Sequence, residues 1–317
     1  MHLPNKFVTC ADSLVTTKVT RRKGFLEFVH RRNRESIDFI DKAKAFKALL
    51  ANKTDCPKDI LKHIKEKDPL IEAAGVSSKA KAHLDDEDVE KILSDFVKNI
   101  LEPTGVGYID EATYRYLLTQ GDSLGGKMRN IVGKLARGKL TEAIIAQFKI
   151  KGYEFYFATD KKKYIRGDEY RRDHSTDIKS LFWLLTKKEP RTLIYDLTSP
   201  IVGKNIDITI INKSVSNLGV LKLKEYLNTA DSYLKLGELK GGIDPAGADE
   251  HWKTGSTALK RIRERLGERV QIFFVGAAIE KAMAAEIFIQ YKKAVLNNCA
   301  NLHDDDQINS LCEWLVE

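Results

Sequence analysis

The stretch YLKLGELKGGIDPAGADEHWKT, Tyr233–Thr254, is the part of the sequence that decides the fold. Its first half alternates apolar and polar residues, which predicts a β-strand. Residues two apart on a strand project from the same face, so Glu238 and Lys240 lie side by side. Leu234 and Leu236 precede them at the same spacing and are expected on that face. A carboxylate beside an ammonium at the end of a buried strand indicates either a structural ion pair or a metal site.

A metal site needs a second carboxylate on a neighbouring strand, and Asp207 is the candidate. It lies in the run NIDITIIN, Asn205–Asn212, where an Asp among isoleucines is costly unless it is paired or binds a cation. Asp207 and Glu238 together offer oxygen ligands that suit Mg²⁺. The ion would polarise a phosphate and activate water, and Lys240 would orient that water or offset charge on the phosphate oxygens. On these residues alone, the ion pair and the nuclease site both remain open.

The segments around this motif alternate between strand and helix patterns. Strand patterns occupy Gly152–Thr159, Arg191–Thr198, Asn205–Asn212, Tyr233–Gly241 and Arg269–Gly276. Helical periodicity occupies Thr176–Leu185, Leu218–Leu227, Trp252–Leu266 and Ala277–Leu296. This alternation predicts an α/β (α+β) domain with a mixed central sheet.

The part of the chain before these segments is helical in pattern. Apolar residues recur at helical spacing over Lys23–Asn52, Asp85–Leu101, Asp110–Leu118 and Leu124–Phe148. We therefore expect two domains, a mostly helical one over residues 1–150 and a catalytic one over residues 151–317.

The composition is that of a soluble globular protein, with 43% hydrophobic and 31% charged residues. Lys and Arg outnumber Asp and Glu by 53 to 45, and this modest excess suits a nucleic-acid partner. The four cysteines form no close pair, which favours reduced thiols. No apolar run approaches the roughly 20 residues that span a bilayer, and the N-terminus lacks the apolar stretch of a secretory signal. We expect a cytoplasmic protein with no membrane partner.

The run GELKGGIDPAGADEHWKT, Gly237–Thr254, resembles the AvaI/BsoBI family of type II restriction endonucleases. Chain length, the helical first part and the position of the motif extend the resemblance over most of the chain. It implies a PD-(D/E)XK nuclease core with a mixed central sheet flanked by helices, and a helical N-terminal domain that embraces DNA. It also implies Mg²⁺-dependent hydrolysis of double-stranded DNA at the partly degenerate palindrome CYCGRG by a homodimer. In a restriction-modification system, a cognate DNA methyltransferase acts on the same site and need not bind this chain.

The resemblance also implies roles for residues of the catalytic motif. Glu238 and Lys240 match the E-x-K pair of the nuclease core. Asp207 is the first metal-binding acid, although its interval to Glu238 is longer than in the family, and Asp196 or Asp231 are the alternatives.

Three further residues take their roles from the resemblance. His251 falls where the family has a histidine near the metal, a general base. Asp244 falls at a position where the family contacts bases. The family also has a lysine that contacts guanine near residues 77–83, and Lys81 is chosen over Lys79 for that role. From the residues alone, the default for His251 is a surface histidine at a helix start, and the alternative for Asp244 is an ordinary turn residue.

Two other functions fit the same residues. One is a different PD-(D/E)XK nuclease, for repair or for resolving junctions, which recognises DNA structure in place of sequence. The other is a non-catalytic DNA-binding protein that retains the fold.

Overall fold

The chain forms two compact units in a computed structural model, which describes residues 4–159, 163–186, 189–214 and 220–317. One unit combines Met1–Phe25 with Ile131–Glu317, and the other is Leu26–Asn130. Both boundaries fall inside long helices. The structure therefore groups the first 25 residues, and those from 131 to 150, with the C-terminal part of the chain. The functional division at residue 150 stays a prediction.

The unit Leu26–Asn130 is helical, as its periodicity predicts. One buried cluster, which includes Phe46, Leu50, Leu93 and Tyr116, forms its core. A π-helical turn separates its fifth and sixth helices. The helices from the N-terminus through this unit are α1 (Lys18–Lys53), α2 (Ile60–His63), α3 (Lys67–Ala73), α4 (Ser78–Lys81), α5 (Asp86–Phe96), α6 (Glu102–Thr104) and α7 (Tyr108–Lys151).

The other unit is built on a mixed eight-stranded sheet in the order β2-β1-β3-β4-β5-β6-β7-β8. Neighbouring strands are antiparallel from β2 to β6, and β6, β7 and β8 are parallel to one another. The strands are β1 (Phe155–Ala158), β2 (Ile165–Arg166), β3 (Ser180–Thr186), β4 (Glu189–Ser199), β5 (Lys204–Ile211), β6 (Tyr233–Lys240), β7 (Gln271–Gly276) and β8 (Asn298–Asn301).

Helices cover both faces of this sheet, which gives two separate hydrophobic cores. The remaining helices are α8 (Val220–Tyr226), α9 (Ala248–Leu266), α10 (Lys281–Lys292) and α11 (Asp305–Val316). α9 and α10 pack on one face, and α7 and α11 pack on the other. Adjacent residues of β7 alternate between the cores, Phe274 in the first and Phe273 in the second. The predicted α/β class with a mixed sheet is confirmed. Within the described ranges, no helix is long and apolar enough to cross a membrane.

The helix predicted over Thr176–Leu185 is wrong, because Ser180–Thr186 is strand β3. β3 lies between β1 and β4 and pairs antiparallel with both. Its run SLFWLLT is almost continuously apolar, and a short apolar run cannot be assigned to helix or strand by periodicity. Pairing on both sides decides in favour of the strand.

A register shift in the pairing of β5 with β6 overturns a second expectation. Ile210 lies opposite Lys235 and Ile211 opposite Tyr233, so Leu234 is an extra residue on β6. Leu236 packs in the core under α9, whereas Leu234 packs in the core under α11. Leu234 therefore faces away from Leu236, although the simple period of two places them together.

Gly237 provides a test of this packing, because it leaves no room for a side chain. A Cβ built there would lie 2.3 Å from the fully buried ring of Phe273. We expect Gly237→Ala to lower the free energy of unfolding by about 1–3 kcal/mol, because the ring cannot move without disturbing the core. Thermal and urea unfolding measure the change.

Gly133→Ala is the matched control, since a Cβ there on α7 meets nothing within 4 Å. It should stabilise the protein by about 0.5–1 kcal/mol, because alanine favours the helix. Equal stabilities of the two variants would contradict the close contact at Gly237.

Candidate active site

Two carboxylates from adjacent strands meet at the end of β6. Ile208 of β5 lies opposite Gly237 of β6, so the next position in the ladder brings Asp207 level with Glu238. The Leu239 backbone N–H donates a hydrogen bond of 2.9 Å to Asp207 Oδ2. That bond fixes the Asp207 carboxylate against the strand that carries Glu238.

Lys240 links the two acids. Its Nζ donates to Glu238 Oε2 at 2.8 Å and to Asp207 Oδ2 at 3.4 Å. The Glu238 side chain is 5% exposed, whereas the side chains of Asp207 and Lys240 are 32% and 23% exposed. The group therefore has a buried acid at its base and opens to solvent at Asp207 and Lys240.

Burial sets the electrostatics of this group. Desolvation, and then the negative charge of Asp207, raise the pKa of Glu238 to about 7, although Lys240 acts in the opposite direction. Burial also acts to lower the pKa of Lys240, but the two carboxylates outweigh it and that pKa is raised. The lysine is therefore a cation at neutral pH, and Glu238 is close to its point of half-protonation.

Backbone contacts hold the end of β6 in place. The Ala277 N–H donates to the Lys240 carbonyl at 2.8 Å, and the Thr16 hydroxyl donates to the Ala277 carbonyl at 2.9 Å. A Cβ on Gly241 would lie 2.6 Å from Ala136 and 3.0 Å from the Val132 carbonyl of α7. Sequence reasoning missed Thr16 and Ala277, because nothing local in either segment signals the bond from Ala277 to Lys240 or the bond from Thr16 to Ala277.

His251 lies in the first turn of α9 and packs against the glycine-rich turn after β6. A Cβ on Gly242 would lie 2.7 Å from its Cε1, so only glycine leaves room for the imidazole. Burial, and then the charge of Lys240, lower the pKa of His251, while Asp244 and Glu250 act to raise it. The imidazole is therefore neutral at pH 7 and close enough to Lys240 to respond to its charge.

The alternative acids lie away from Glu238. Asp196 pairs with Arg137 at 2.8 Å, and its backbone has a positive φ of 51°. Asp231 pairs with Arg269 at 3.2 Å, just before the start of β6. Of the three candidates, Asp207 is the one that contacts Glu238 and Lys240.

The two proposed base-reading residues fall in different units. Asp244 lies in the turn between β6 and α9, where its carbonyl accepts a hydrogen bond from Gly247 at 3.3 Å. Lys81 ends α4 in the helical unit, and its ammonium pairs with Asp68. The structure therefore places Asp244 within electrostatic reach of His251, while Lys81 belongs to the other unit.

The donor set fits a hard divalent cation. Asp207 and Glu238 present carboxylate oxygens at one point, and Mg²⁺ is commonly held by one or two carboxylates, waters and substrate phosphate. In the part of the chain that the structure describes, no group of three or more His, Cys, Asp or Glu side chains forms a closed metal site. The arrangement thus fits an open, substrate-completed site better than a structural zinc site.

Comparisons with known proteins agree with this geometry. Residues 5–317 match the family model "Restriction endonuclease BsobI". The chain belongs to the BsoBI family of restriction endonucleases. It is 43% identical over 312 residues to the type II restriction enzyme BsoBI of Geobacillus stearothermophilus, covering 96% of this chain and 95% of that enzyme. It is 39% identical over 310 residues to the type II restriction enzyme AvaI of a Nostoc species, covering 96% of both chains.

Membership of the BsoBI family confirms the enzyme class predicted from the sequence. The class is that of type II restriction enzymes, which are site-specific deoxyribonucleases. The match extends well beyond the residues of the Gly237–Thr254 motif and covers both compact units.

The raised pKa of Glu238 predicts how stability depends on pH when no metal is bound. Between its ordinary value of 4.5 and about 7, the folded state holds a proton that the unfolded state releases. The contribution of Glu238 to the free energy of unfolding is therefore fully present below pH 4.5 and is lost as the pH rises through about 7. The expected loss between about pH 5 and pH 8 is on the order of 2 kcal/mol.

Urea unfolding in EDTA at these two pH values tests this expectation. Glu238→Gln should show a smaller decline than the wild-type protein, since its amide does not titrate. Glu264→Gln on α9 is the control, because Glu264 is an exposed partner of Lys260 at 3.9 Å, and its decline should match the wild type. Parallel declines in all three proteins would show that Glu238 titrates normally.

Proposed function

We propose that this restriction endonuclease hydrolyses double-stranded DNA at a partly degenerate palindromic site, with Mg²⁺ bound by Asp207 and Glu238. The observation that carries the proposal is the meeting of these two carboxylates at Lys240, in a chain that matches restriction endonucleases from residue 5 to residue 317. The resemblance supports CYCGRG as the site and a homodimer as the assembly. A two-fold protein matches a two-fold site, because each protomer then cuts one strand.

Asp207 and Glu238 are suited to holding a cation because their charges are only partly balanced. One ammonium serves two carboxylates, and burial, followed by the charge of Asp207, raises the pKa of Glu238 in spite of Lys240. A divalent ion held there supplies Lewis-acid polarisation of the scissile phosphate and a lowered pKa for the attacking water. The Leu239 N–H keeps the Asp207 carboxylate oriented toward the same point.

Lys240 is the group that can act on the phosphate directly. Its pKa is raised by the two carboxylates, so it carries a positive charge at neutral pH. The ammonium has three donors, and the structure uses two for the carboxylates. The third donor is available to a phosphate oxygen, where it would offset the charge that develops in the transition state.

His251 is suited to accept a proton. Burial and the charge of Lys240 lower its pKa, so the ring at pH 7 is neutral and has a free lone pair. Its position against Gly242 fixes the ring beside the turn that follows the catalytic strand. We assign it the role of general base toward the attacking water.

Sequence recognition is assigned to Asp244 and Lys81. A carboxylate can accept a hydrogen bond from cytosine N4, and a lysine can donate to guanine O6 and N7. Asp244 is supported by its place in the turn between the catalytic strand and α9. Lys81 rests on the resemblance, and recruiting it would require release from Asp68.

Digestion of a plasmid of known sequence tests the function as a whole. With Mg²⁺, discrete fragments whose ends map to CYCGRG sites are expected, and without a divalent ion the plasmid should stay intact. Glu238→Ala is the control protein and should leave the plasmid uncut while it still binds the site. Cleavage that follows DNA structure in place of sequence would contradict the proposal, as would no cleavage at all.

The choice of Asp207 as the first metal-binding acid is tested against Asp196. Asp207→Asn should lower the cleavage rate by about 10²-fold or more and weaken Mg²⁺ binding, since an amide is a poorer ligand for a hard cation. Asp196→Asn is the matched control, because Asp196 lies on the next strand and pairs with Arg137. Cleavage rates over a Mg²⁺ titration distinguish the two. The assignment is wrong if Asp207→Asn cuts normally and Asp196→Asn does not.

The role of His251 is tested by the pH dependence of the chemical step. His251→Ala should slow single-turnover cleavage at neutral pH by about 10²-fold or more, with nearly unchanged DNA affinity. Its residual rate should rise over about pH 6 to 9, because hydroxide increasingly replaces the missing base. Added imidazole should restore part of the rate.

His303→Ala is the control, since His303 is exposed and lies in the turn before α11. It should cut as the wild type does. A wild-type pH profile for His251→Ala, with the loss confined to DNA affinity, would reassign His251 to a contact with the DNA backbone.

A further inference from the structure

Lys235 is a buried cation that lies away from the nuclease residues. It is 9% exposed, and its ammonium donates to the Trp314 carbonyl and lies 4.6 Å from the centroid of the Trp314 ring. Across the described ranges, no carboxylate lies within 4.0 Å of its Nζ. A buried ammonium without an opposite charge is costly, so its presence needs an explanation.

A cavity of about 370 Å³ adjoins Lys235. Apolar side chains, among them Leu234 and Leu315, form part of its wall. The polar part of the wall has three cationic side chains and one anionic one, and consists of Arg191, Lys235, Arg269, Glu317, Gln271 and Trp314. A volume of this size is in the range of small-molecule sites.

The other charged groups of the wall already have partners. Arg191 pairs with Glu189 at 3.6 Å, and Arg269 pairs with Asp231 at 3.2 Å. Glu317 of the wall pairs with Lys151 at 3.0 Å. Among the charged groups of this wall, Lys235 is the one with no carboxylate within 4.0 Å in the described part of the chain, although the negative charge of Glu317 acts on it from farther away.

We propose that this cavity is a binding site for a small phosphate-bearing anion, which pairs with Lys235 and is flanked by Arg191 and Arg269. Guanidinium groups bind phosphate oxygens in pairs, and an ammonium adds a point charge. The apolar wall leaves room for a small organic group on the phosphate. Burial lowers the pKa of Lys235 to about 8, with Arg191 adding to the effect and Glu317 opposing it.

The cavity is separate from the nuclease site. Lys235 and Lys240 lie five positions apart on β6, which is roughly 16 Å along a strand. Lys235 contacts Trp314 of α11, whereas Lys240 contacts the acids beside α9. A phosphate at Lys235 therefore does not take part in the reaction at Glu238, and the inference does not depend on the proposed mechanism.

Calorimetric titration of the whole protein with inorganic phosphate tests the site, at constant ionic strength, without divalent metal, and with chloride as the reference anion. We expect millimolar or tighter binding at pH 7 and a rise in melting temperature with phosphate. Lys235→Met should weaken binding at least tenfold and abolish that rise. Lys260→Met, an exposed lysine of α9, is the matched control and should behave as the wild type does.

Two further variants keep the result interpretable. Arg269→Gln changes an 88% exposed side chain, so it should fold normally and still weaken phosphate binding several-fold. Lys240→Ala should bind phosphate as the wild type does, because it alters the nuclease site alone. Binding should also weaken as pH rises through about 8, where Lys235 loses its charge. The other charged groups at or next to this wall are Arg191, Arg269, Glu317 and Lys151.

Three outcomes would overturn the proposal. One is no binding of phosphate to the wild-type protein at 10 mM. A second is binding that Lys235→Met leaves unchanged. The third is binding that disappears with Lys240→Ala, which would place the phosphate at the nuclease residues.

Discussion

The ion group of Lys240, Glu238 and Asp207 is the interaction on which the site depends. Two carboxylates on neighbouring strands repel each other, and burial makes the charged form of Glu238 still less favourable. The ammonium of Lys240 at 2.8 and 3.4 Å keeps the pair together without neutralising it. The result is a negative site that a divalent cation can complete, held in a rigid sheet so that little rearrangement is needed when the cation arrives.

The sheet can hold this group because strand β6 is close to its neighbours on every side. Gly237 lets the Phe273 ring cover the strand, and Gly241 lets α7 approach where β6 ends. β6 pairs antiparallel with β5 on one side and parallel with β7 on the other. The strand ends at the turn that leads to α9. Glycines at these points therefore serve the geometry of the site as much as the packing of the core.

Sequence reasoning reached the site where local rules apply and failed where distant pairing decides. Glu238 and Lys240 share a face because of strand periodicity, and Asp207 stood out as an acid in an apolar strand. The register shift that turns Leu234 to the other face depends on the pairing of β5 with β6. The prediction of a helix at β3 is wrong because its short apolar run fits helix and strand alike, and its pairing with β1 and β4 decides. Ala277 bonds to Lys240 from 37 residues away, and Thr16 bonds to Ala277 across 261 residues, contacts that no local pattern can report.

The two lysines of β6 show how one strand produces two kinds of charged site. Lys240 is half-buried between two carboxylates, and its pKa is raised. The more deeply buried Lys235 has no described carboxylate within 4.0 Å, and burial lowers its pKa to about 8 although Glu317 acts in the opposite direction. The two lysines lie five positions apart on β6 and therefore project from opposite faces, Lys235 toward Trp314 of α11 and Lys240 toward the acids beside α9. Lys240 therefore offsets the negative charge of two carboxylates at one end of β6. At the other end, Lys235 is a buried positive charge that an anion would stabilise. An anion at Lys235 and a cation at Glu238 would each complete a charge that the folded chain leaves unbalanced.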